Sequence, residues 1–174
     1  MTIRTILTEP NEILRQVSKP VESVGKDEQK LMDDMLETMY QAKGIGLAAI
    51  QIGIPKRIIV LDISKNEEKK NPMYFVNPVI KNKNEQLSTY EEGCLSVPNQ
   101  FAEINRPSNC ELEYLDYNGK KKNLKAEGLL ATCIQHEMDH LEGILFIDYL
   151  SKLKKTMIIK KLSKQKSEGD RLVI

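Results

Sequence analysis

The two histidines of the chain, His136 and His140, stand four residues apart, with Glu137 directly after the first, in the run HEMDH. On a helix that spacing turns both rings to one face, a single turn apart, where they can close on one ion with a carboxylate beside them. Two histidines scattered at random would fall four apart about once in ninety such chains, and with a Glu after the first about once in nine hundred, so the match carries information. A catalytic ion held there would keep one position open for water.

A helical wheel sharpens this. With Leu129 as origin, the apolar arc runs through Cys133, Leu130, Leu141, Ile134, Met138 and Ala131, while Thr132, Gln135, Asp139 and Glu142 occupy the remainder. His136 and His140 fall at the edge of the apolar arc and Glu137 inside it. A carboxylate on a buried arc is costly to ionise unless a cation or a hydrogen-bond network stands beside it, and a metal answers that need.

Two histidines leave a catalytic ion incomplete, because such sites usually carry three protein ligands and one open position. The long zincin pattern places another His ten residues after the first, but that position is Phe146, and the downstream glutamates are Glu142 and Glu168. Upstream, Cys94 lies in Glu91-Glu92-Gly93-Cys94-Leu95-Ser96, at the end of an expected strand, where a thiol can point at the helix. Cys133 competes from the helix itself. It is seven residues from His140, about 10 Å along the axis, so one helix cannot easily give an ion all three ligands, and Cys133 reads better as a wall of the pocket. Cys110, in an expected strand, reads as a small buried hydrophobe. An odd number of cysteines without an N-terminal export signal argues against a disulfide framework and for a reducing compartment.

Several elements must position these groups. Asp27 to Lys43 reads as a helix with Leu31, Met32, Met35, Leu36, Met39 and Tyr40 on one face and Asp33, Asp34, Glu37, Thr38 and Gln41 on a wet one. The Gly44-Ile45-Gly46 break follows, then KRIIVLD, MYFVNPVI, EQLSTYEE, QFAEI, NCELEYLDY and KKKNLKAE, which read as strands. Asn118-Gly119 marks a tight hairpin with two positive φ angles. Helical patterning returns from Ala126 to Glu142 and again from near Ser151, with Lys65 to Asn71 as a polar loop and Ser167 to Ile174 as a frayed tail. Strands grouped in the middle predict an α+β fold, with antiparallel sheets packed around a central helix that carries HEMDH and with an N-terminal and a C-terminal helix.

The chain of 174 residues is expected to form a single domain over 1–174, with 151–174 as a basic C-terminal helix and tail. A net charge of +1 with 29 % charged residues excludes an acidic solvating chain and a wholly basic nucleic-acid binder. The longest uncharged stretch, Gly44 to Pro55, is too short for a bilayer span, which needs about twenty apolar residues.

Three segments together resemble the peptide deformylases: Gly44-Ile45-Gly46-Leu47-Ala48-Ala49-Ile50-Gln51, Glu92-Gly93-Cys94-Leu95-Ser96, and Gln135-His136-Glu137-Met138-Asp139-His140. The resemblance implies that Cys94, His136 and His140 are metal ligands and Glu137 the general acid and base. It implies that Gln51 and the Leu95 backbone N–H steady the carbonyl oxygen. The reaction implied is removal of the formyl group from the N-formylmethionyl nascent peptide, releasing formate, with ferrous iron as the expected metal and zinc or nickel able to replace it. Leu129, Cys133 and Ile45 become walls for the methionine side chain, Gly44 and Gly46 let the substrate backbone approach, and Glu92 and Gly93 join the substrate-contacting set. Several relatives carry an arginine at the position of Phe101, and Arg106 is expected to pair with Asp139.

Other readings stay open at this stage. A closed, non-catalytic zinc module would use two cysteines and two histidines, and a general metallopeptidase would not need Cys94. A nucleotide loop is disfavoured at Gly44–Gly46, because a helix precedes it and no longer glycine run is present. From Ser151 onward eight Lys and Arg stand against two acids, a charge that could draw the C-terminal helix to ribosomal RNA, and the expected location is the bacterial cytoplasm.

Overall fold

The computed structural model describes residues 2–64 and 69–171. A 3-10 turn at Glu12–Arg15 precedes helix α1 (Lys26–Gln41), which gives way to strand β1 (Gly46–Ala48) and a second 3-10 turn, Ala49–Ile52. Strands β2 (Ile58–Leu61), β3 (Met73–Lys83), β4 (Leu87–Cys94), β5 (Val97–Pro107), β6 (Asn109–Leu115) and β7 (Lys121–Glu127) follow. Helix α2 (Gly128–Leu141), a 3-10 turn at Phe146–Tyr149 and helix α3 (Lys152–Arg171) complete the order.

The expected α+β architecture is present. Five strands form one antiparallel sheet in the order β1-β2-β3-β6-β7, and β4 and β5 form a separate antiparallel hairpin. Strand β2 shows how the layers are built, since all four of its residues are buried. Successive side chains leave a strand on opposite faces. Ile58 and Val60 therefore enter a core with Met32, Met35 and Met39 of α1, while Ile59 and Leu61 enter a core with Ala131, Ile134 and Leu141 of α2. The sheet is held between the two helices, and α2 lies at the centre against strands of both sheets. The β4-β5 hairpin has its own core, in which Val97 and Ile104 meet Leu145, Phe146 and Ile147 and, from α3, Leu162.

Four local expectations need correction. Gly46 is not a bare break: Gly46–Ala48 pairs with Ile59–Leu61 as β1, because an apolar three-residue run can complete a sheet edge. The β6-β7 connection is a hairpin, but a longer one than Asn118-Gly119 suggested. Leu115 pairs with Lys121, Asp116 Oδ1 accepts from the Asn118 and Lys120 N–H groups, and of that dipeptide only Gly119 takes a positive φ. Helix α3 runs through to Arg171, so Ser167 onward is not wholly a frayed tail, and residues 172–174 lie outside the described set, as do 65–68 of the expected polar loop.

The fourth correction concerns the wet face of α1, where Asp34 is 0 % exposed and Thr38 is buried. The N-terminal segment covers them. Thr2 N–H donates to Asp34 Oδ1 at 2.7 Å, Arg4 N–H donates to Thr38 Oγ1 at 2.9 Å, and Arg4 and Lys30 both bond Asp34 Oδ2. Burial alone would raise the Asp34 carboxyl, but the Thr2 N–H, Arg4 and Lys30 outweigh it and hold the pKa at about 2.

A carboxyl depressed in the folded state stabilises above its unfolded pKa and loses that contribution as pH falls through the folded value. Asp34→Asn should therefore lower the free energy of urea unfolding at pH 7 by about 2 kcal/mol. Measured across pH, the gap between native protein and variant should close as pH falls from 3.8 towards 2.

Candidate active site

Helix α2 is anchored by Ala131, Ile134 and Leu141, and this turns His136, Glu137 and His140 inward at 8, 5 and 1 % exposure. Cys94 comes from the other sheet, at the end of β4, where a tight reversal at Leu95 and Ser96 sets Cys94 opposite Val97. Cys94 Sγ lies 3.3 Å from His140 Nε2. One ligand atom from each of Cys94, His136 and His140 falls within 4.8 Å of the others, so the three could hold a metal ion. A thiolate with two imidazoles suits a borderline or soft divalent ion and leaves a position free on a tetrahedral one.

The polar groups around this cluster fit that use. His136 Nδ1–H donates to Glu92 Oε2 at 2.8 Å, which fixes the ring and leaves Nε2 available to an ion. Glu92 is itself gripped by Arg106, with Nε to Oε1 at 2.6 Å and Nη2 to Oε2 at 3.0 Å. Arg106 Nη1 also reaches Asp139 Oδ2 at 2.8 Å, as expected, and Tyr149 donates its hydroxyl to the same oxygen while its ring lies against the guanidinium. Glu137 Oε2 and His140 Nδ1 are buried without a hydrogen-bond partner. Other buried polar atoms, such as Ser18 Oγ and Ser88 Oγ, also lack a partner, but Glu137 Oε2 and His140 Nδ1 flank a potential cation site.

The local field is shaped by burial. Burial pushes the Glu137 carboxyl up, with Glu92 and Asp139 adding to it and His136 and Arg106 opposing, to about 7. At His136, burial opposes the charge, but Cys94, Glu92 and Glu137 outweigh it and move the pKa well up. Burial pushes His140 well down, helped by the positive charge of His136, Arg106 and Arg15. Burial, with Glu137 and Glu92, pushes the Cys133 thiol up to about 12, so it stays protonated and serves as an apolar wall.

Gly46 has a steric role here. A Cβ at that position would overlap Glu137 Oε1 and stand 2.8 Å from Leu61 Cδ2, so a bare backbone is what lets the carboxylate lie against β1. Gln51 is oriented at both ends: its Oε1 accepts from the Ala48 N–H at 2.9 Å, and its Nε2 donates to Ser96 Oγ at 3.0 Å and lies 3.5 Å from Cys94 Sγ.

An open groove of about 540 Å³ runs past the cluster. Gly44, Ile45, Gly46, Gln51, Glu92, Gly93, Cys94, Leu95, Leu129, Cys133, His136 and Glu137 all border it, and His140 sits behind them. The Glu92 side chain, expected among the substrate contacts, has both carboxylate oxygens committed to Arg106 and His136. Sequence reasoning also missed Tyr90, Thr132 and Ser96. Ser96 stands inside the cysteine motif, and Thr132 one turn before His136, and those positions were the available signals.

A ligand group of this kind, in a groove open to a peptide-sized molecule and flanked by an unpaired carboxylate, defines a metal-dependent hydrolase. Residues 3–156 match the family model described as polypeptide deformylase. The chain is 78 % identical over 167 residues to the peptide deformylase of Pelagibacter ubique, covering 96 % of this chain and 97 % of that one. The crystal structure of the Ehrlichia chaffeensis peptide deformylase superposes with a TM-score of 0.92 at 40 % identity, covering 97 % of this chain and 99 % of that one. A class I type b peptide deformylase from Acinetobacter baumannii, solved with Met-Ala-Ser bound, matches with a TM-score of 0.81 at 31 % identity over 86 % of this chain and 99 % of that one. The chain belongs to the polypeptide deformylase family. It is a hydrolase that removes the N-formyl group of nascent peptides.

Breaking the buried Arg106–Glu92 pair leaves an uncompensated charge, which costs about 3 to 5 kcal/mol. Arg106→Ala should lower the urea-unfolding midpoint accordingly and speed metal loss to a chelator, read by metal analysis of the filtered protein. Unchanged stability and unchanged metal loss would contradict the anchoring role.

Proposed function

We propose that Cys94, His136 and His140 hold one divalent ion, ferrous iron in the cell with zinc or nickel able to occupy the same donors. In this reading Glu137 is the general acid and base of deformylation. The observation that carries the reading is the buried, unpartnered Glu137 carboxylate beside the Cys/His/His group, at the wall of an open groove. A bound ion would supply Lewis acidity, polarising the formyl oxygen and lowering the pKa of water at its open position.

The residues of the chain do the rest. Glu137, buried at the groove wall beside the ligand group, accepts a proton from the attacking water. The water oxygen adds to the formyl carbon, the C–N bond breaks, and Glu137 delivers its proton to the departing methionine amine as formate leaves. The Gln51 amide and the Leu95 N–H stabilise the oxygen on which negative charge develops. Gln51 needs no reorganisation, since Ala48 and Ser96 already hold it.

Strand β1 is the outermost strand of its sheet, and its Gly46 borders the groove that residues of β4 also line. An extended peptide between them would pair its backbone with a strand edge, while Gly44 and Gly46 keep the approach open. The Met-Ala-Ser tripeptide bound to the Acinetobacter baumannii enzyme supports a peptide in this groove. The methionine side chain would sit against Leu129, Cys133 and Ile45, and Gly93 lies at the groove wall against the Phe101 ring.

Two rival readings lose support. A closed zinc module needs a fourth ligand, and among the described residues only Cys94, His136 and His140 gather. A zincin-type peptidase would place a His at position 146, where Phe146 instead stacks beside His136 with ring centroids 6.4 Å apart.

The same reading extends to the whole chain: a single domain over 1–174, working in the bacterial cytoplasm close to the ribosome. No helix among the described residues is long and apolar enough to cross a membrane. Helix α3 turns Ile158, Ile159 and Leu162 to the hairpin core and leaves Lys152, Lys154, Lys160 and Lys161 exposed, a face suited to RNA phosphates.

The test is formate release from a formyl-Met tripeptide by protein purified anaerobically with ferrous iron. Glu137→Ala should keep the metal and lower kcat at least about a hundredfold, whereas Cys94→Ala should lose the metal. Turnover by Glu137→Ala at the native rate would overturn its role.

A further inference from the structure

We propose that Arg15 is a positioning residue for catalysis: through Glu9 it holds an N-terminal strap across the seam of the site and so sets where the Gln51 amide stands relative to the Cys94 thiol. The inference rests on the deformylase reading of Gln51 and Cys94.

The strap meets both sides of the site through its backbone. Leu7 N–H donates to Gln51 O at 2.7 Å, and two residues on, Glu9 N–H donates to Ser96 O at 2.8 Å. Gln51 and Ser96 also bond each other, side chain to side chain, at 3.0 Å, and Gln51 Nε2 stands 3.5 Å from Cys94 Sγ. The spacing of these groups is therefore bridged twice, and the main-chain bridge is only as firm as the anchor of Glu9.

Arg15 is that anchor. Its Nη2 donates to Glu9 Oε1 at 3.2 Å and its Nη1 to Asp148 Oδ2, in the 3-10 turn after α2, at 2.6 Å. Glu9 is 6 % exposed, its Oε2 has no partner, and among the described residues Arg15 is the one cation on its carboxylate. The far end of the strap is seated on the end of α2: Ser18 N–H donates to Leu141 O at 2.8 Å, and Arg15 O packs where a side chain at Gly143 would otherwise stand. Without the guanidinium the Glu9 carboxylate is buried and uncompensated, and the lowest-energy response is to turn it out to water, which takes its N–H off Ser96. Ser96 is two residues from Cys94, so the displacement falls on the thiol and on Gln51, leaving both hydrophobic cores in place. Arg4 provides the comparison. It too is an N-terminal arginine on a buried carboxylate, but that carboxylate, Asp34, sits on α1 and does not border the groove.

The experiment measures kcat and KM for formyl-Met-Ala-Ser on the iron-loaded enzyme, together with the visible spectrum of protein loaded with one equivalent of cobalt(II), whose thiolate band reports Cys94. Arg15→Ala should lower kcat about tenfold with KM within twofold of native, and should shift the thiolate band. Arg15→Lys, which keeps a cation between Glu9 and Asp148, should recover kcat to within threefold. Arg4→Ala should leave kcat and the band as in the native chain even though it is less stable to urea. A kcat within twofold of native in Arg15→Ala, an unchanged band, an equal fall in Arg4→Ala, or no recovery in Arg15→Lys would each overturn the positioning role and leave the deformylase reading standing. Should Arg15→Ala not fold, Glu9→Gln decides: a kcat at least threefold down with the same band shift supports the role, and native values overturn it. No formate from the native chain would overturn both readings.

Discussion

A helix that turns two imidazoles and a carboxylate toward the interior can be buried only if each of those groups is answered by the chain or by a bound ion. In this protein the answers come from different parts of the chain. Arg106 and Glu92 fix His136, Cys94 meets His140, and the bare backbone of Gly46 makes room for Glu137. Desolvation drives the arrangement, since an ionised carboxylate or an unpaired ring nitrogen in this interior is expensive. The pairing of Arg106 with both Glu92 and Asp139 turns one buried cation into an anchor for two elements, β4 and α2.

The fold serves this constraint by holding the site between two bodies with separate cores. Helix α2 is locked to the five-stranded sheet through Ile59, Leu61 and Phe75, whereas Cys94 rides on the β4-β5 hairpin, packed on Phe146, Ile147 and Leu162. A two-stranded hairpin is marginal by itself, so the C-terminal 3-10 turn and helix α3 contribute directly to where the thiol stands. The groove is lined from both bodies, by Gly46 of β1 on one and by Glu92, Gly93 and Cys94 of β4 on the other. A site built at such a seam can admit a peptide without disturbing either core.

Much of this was legible in the sequence, because helical and strand periodicities are local. HEMDH placed both rings on one face, the β-branched runs marked the strands, and the oddly placed Glu137 pointed inward as it does in the structure. Less legible were features that depend on distant chain. Asp34 and Thr38 lie on a polar arc by periodicity, yet Thr2 and Arg4 cover them. Glu92 looked like a substrate contact because it adjoins the cysteine motif, and only the arrival of Arg106 from β5 shows that its carboxylate faces His136. Strand β1 is too short for its pattern to be separated from a turn.

The most direct measurement of the central claim is X-ray absorption at the metal edge of the protein loaded stoichiometrically with ferrous iron under anaerobic conditions. The account requires one sulfur and two imidazole nitrogens in the inner shell, and loss of the sulfur in Cys94→Ser. A shell without sulfur in the native chain, or one unchanged by replacing His136 or His140, would contradict the assignment of these three residues as the ligands.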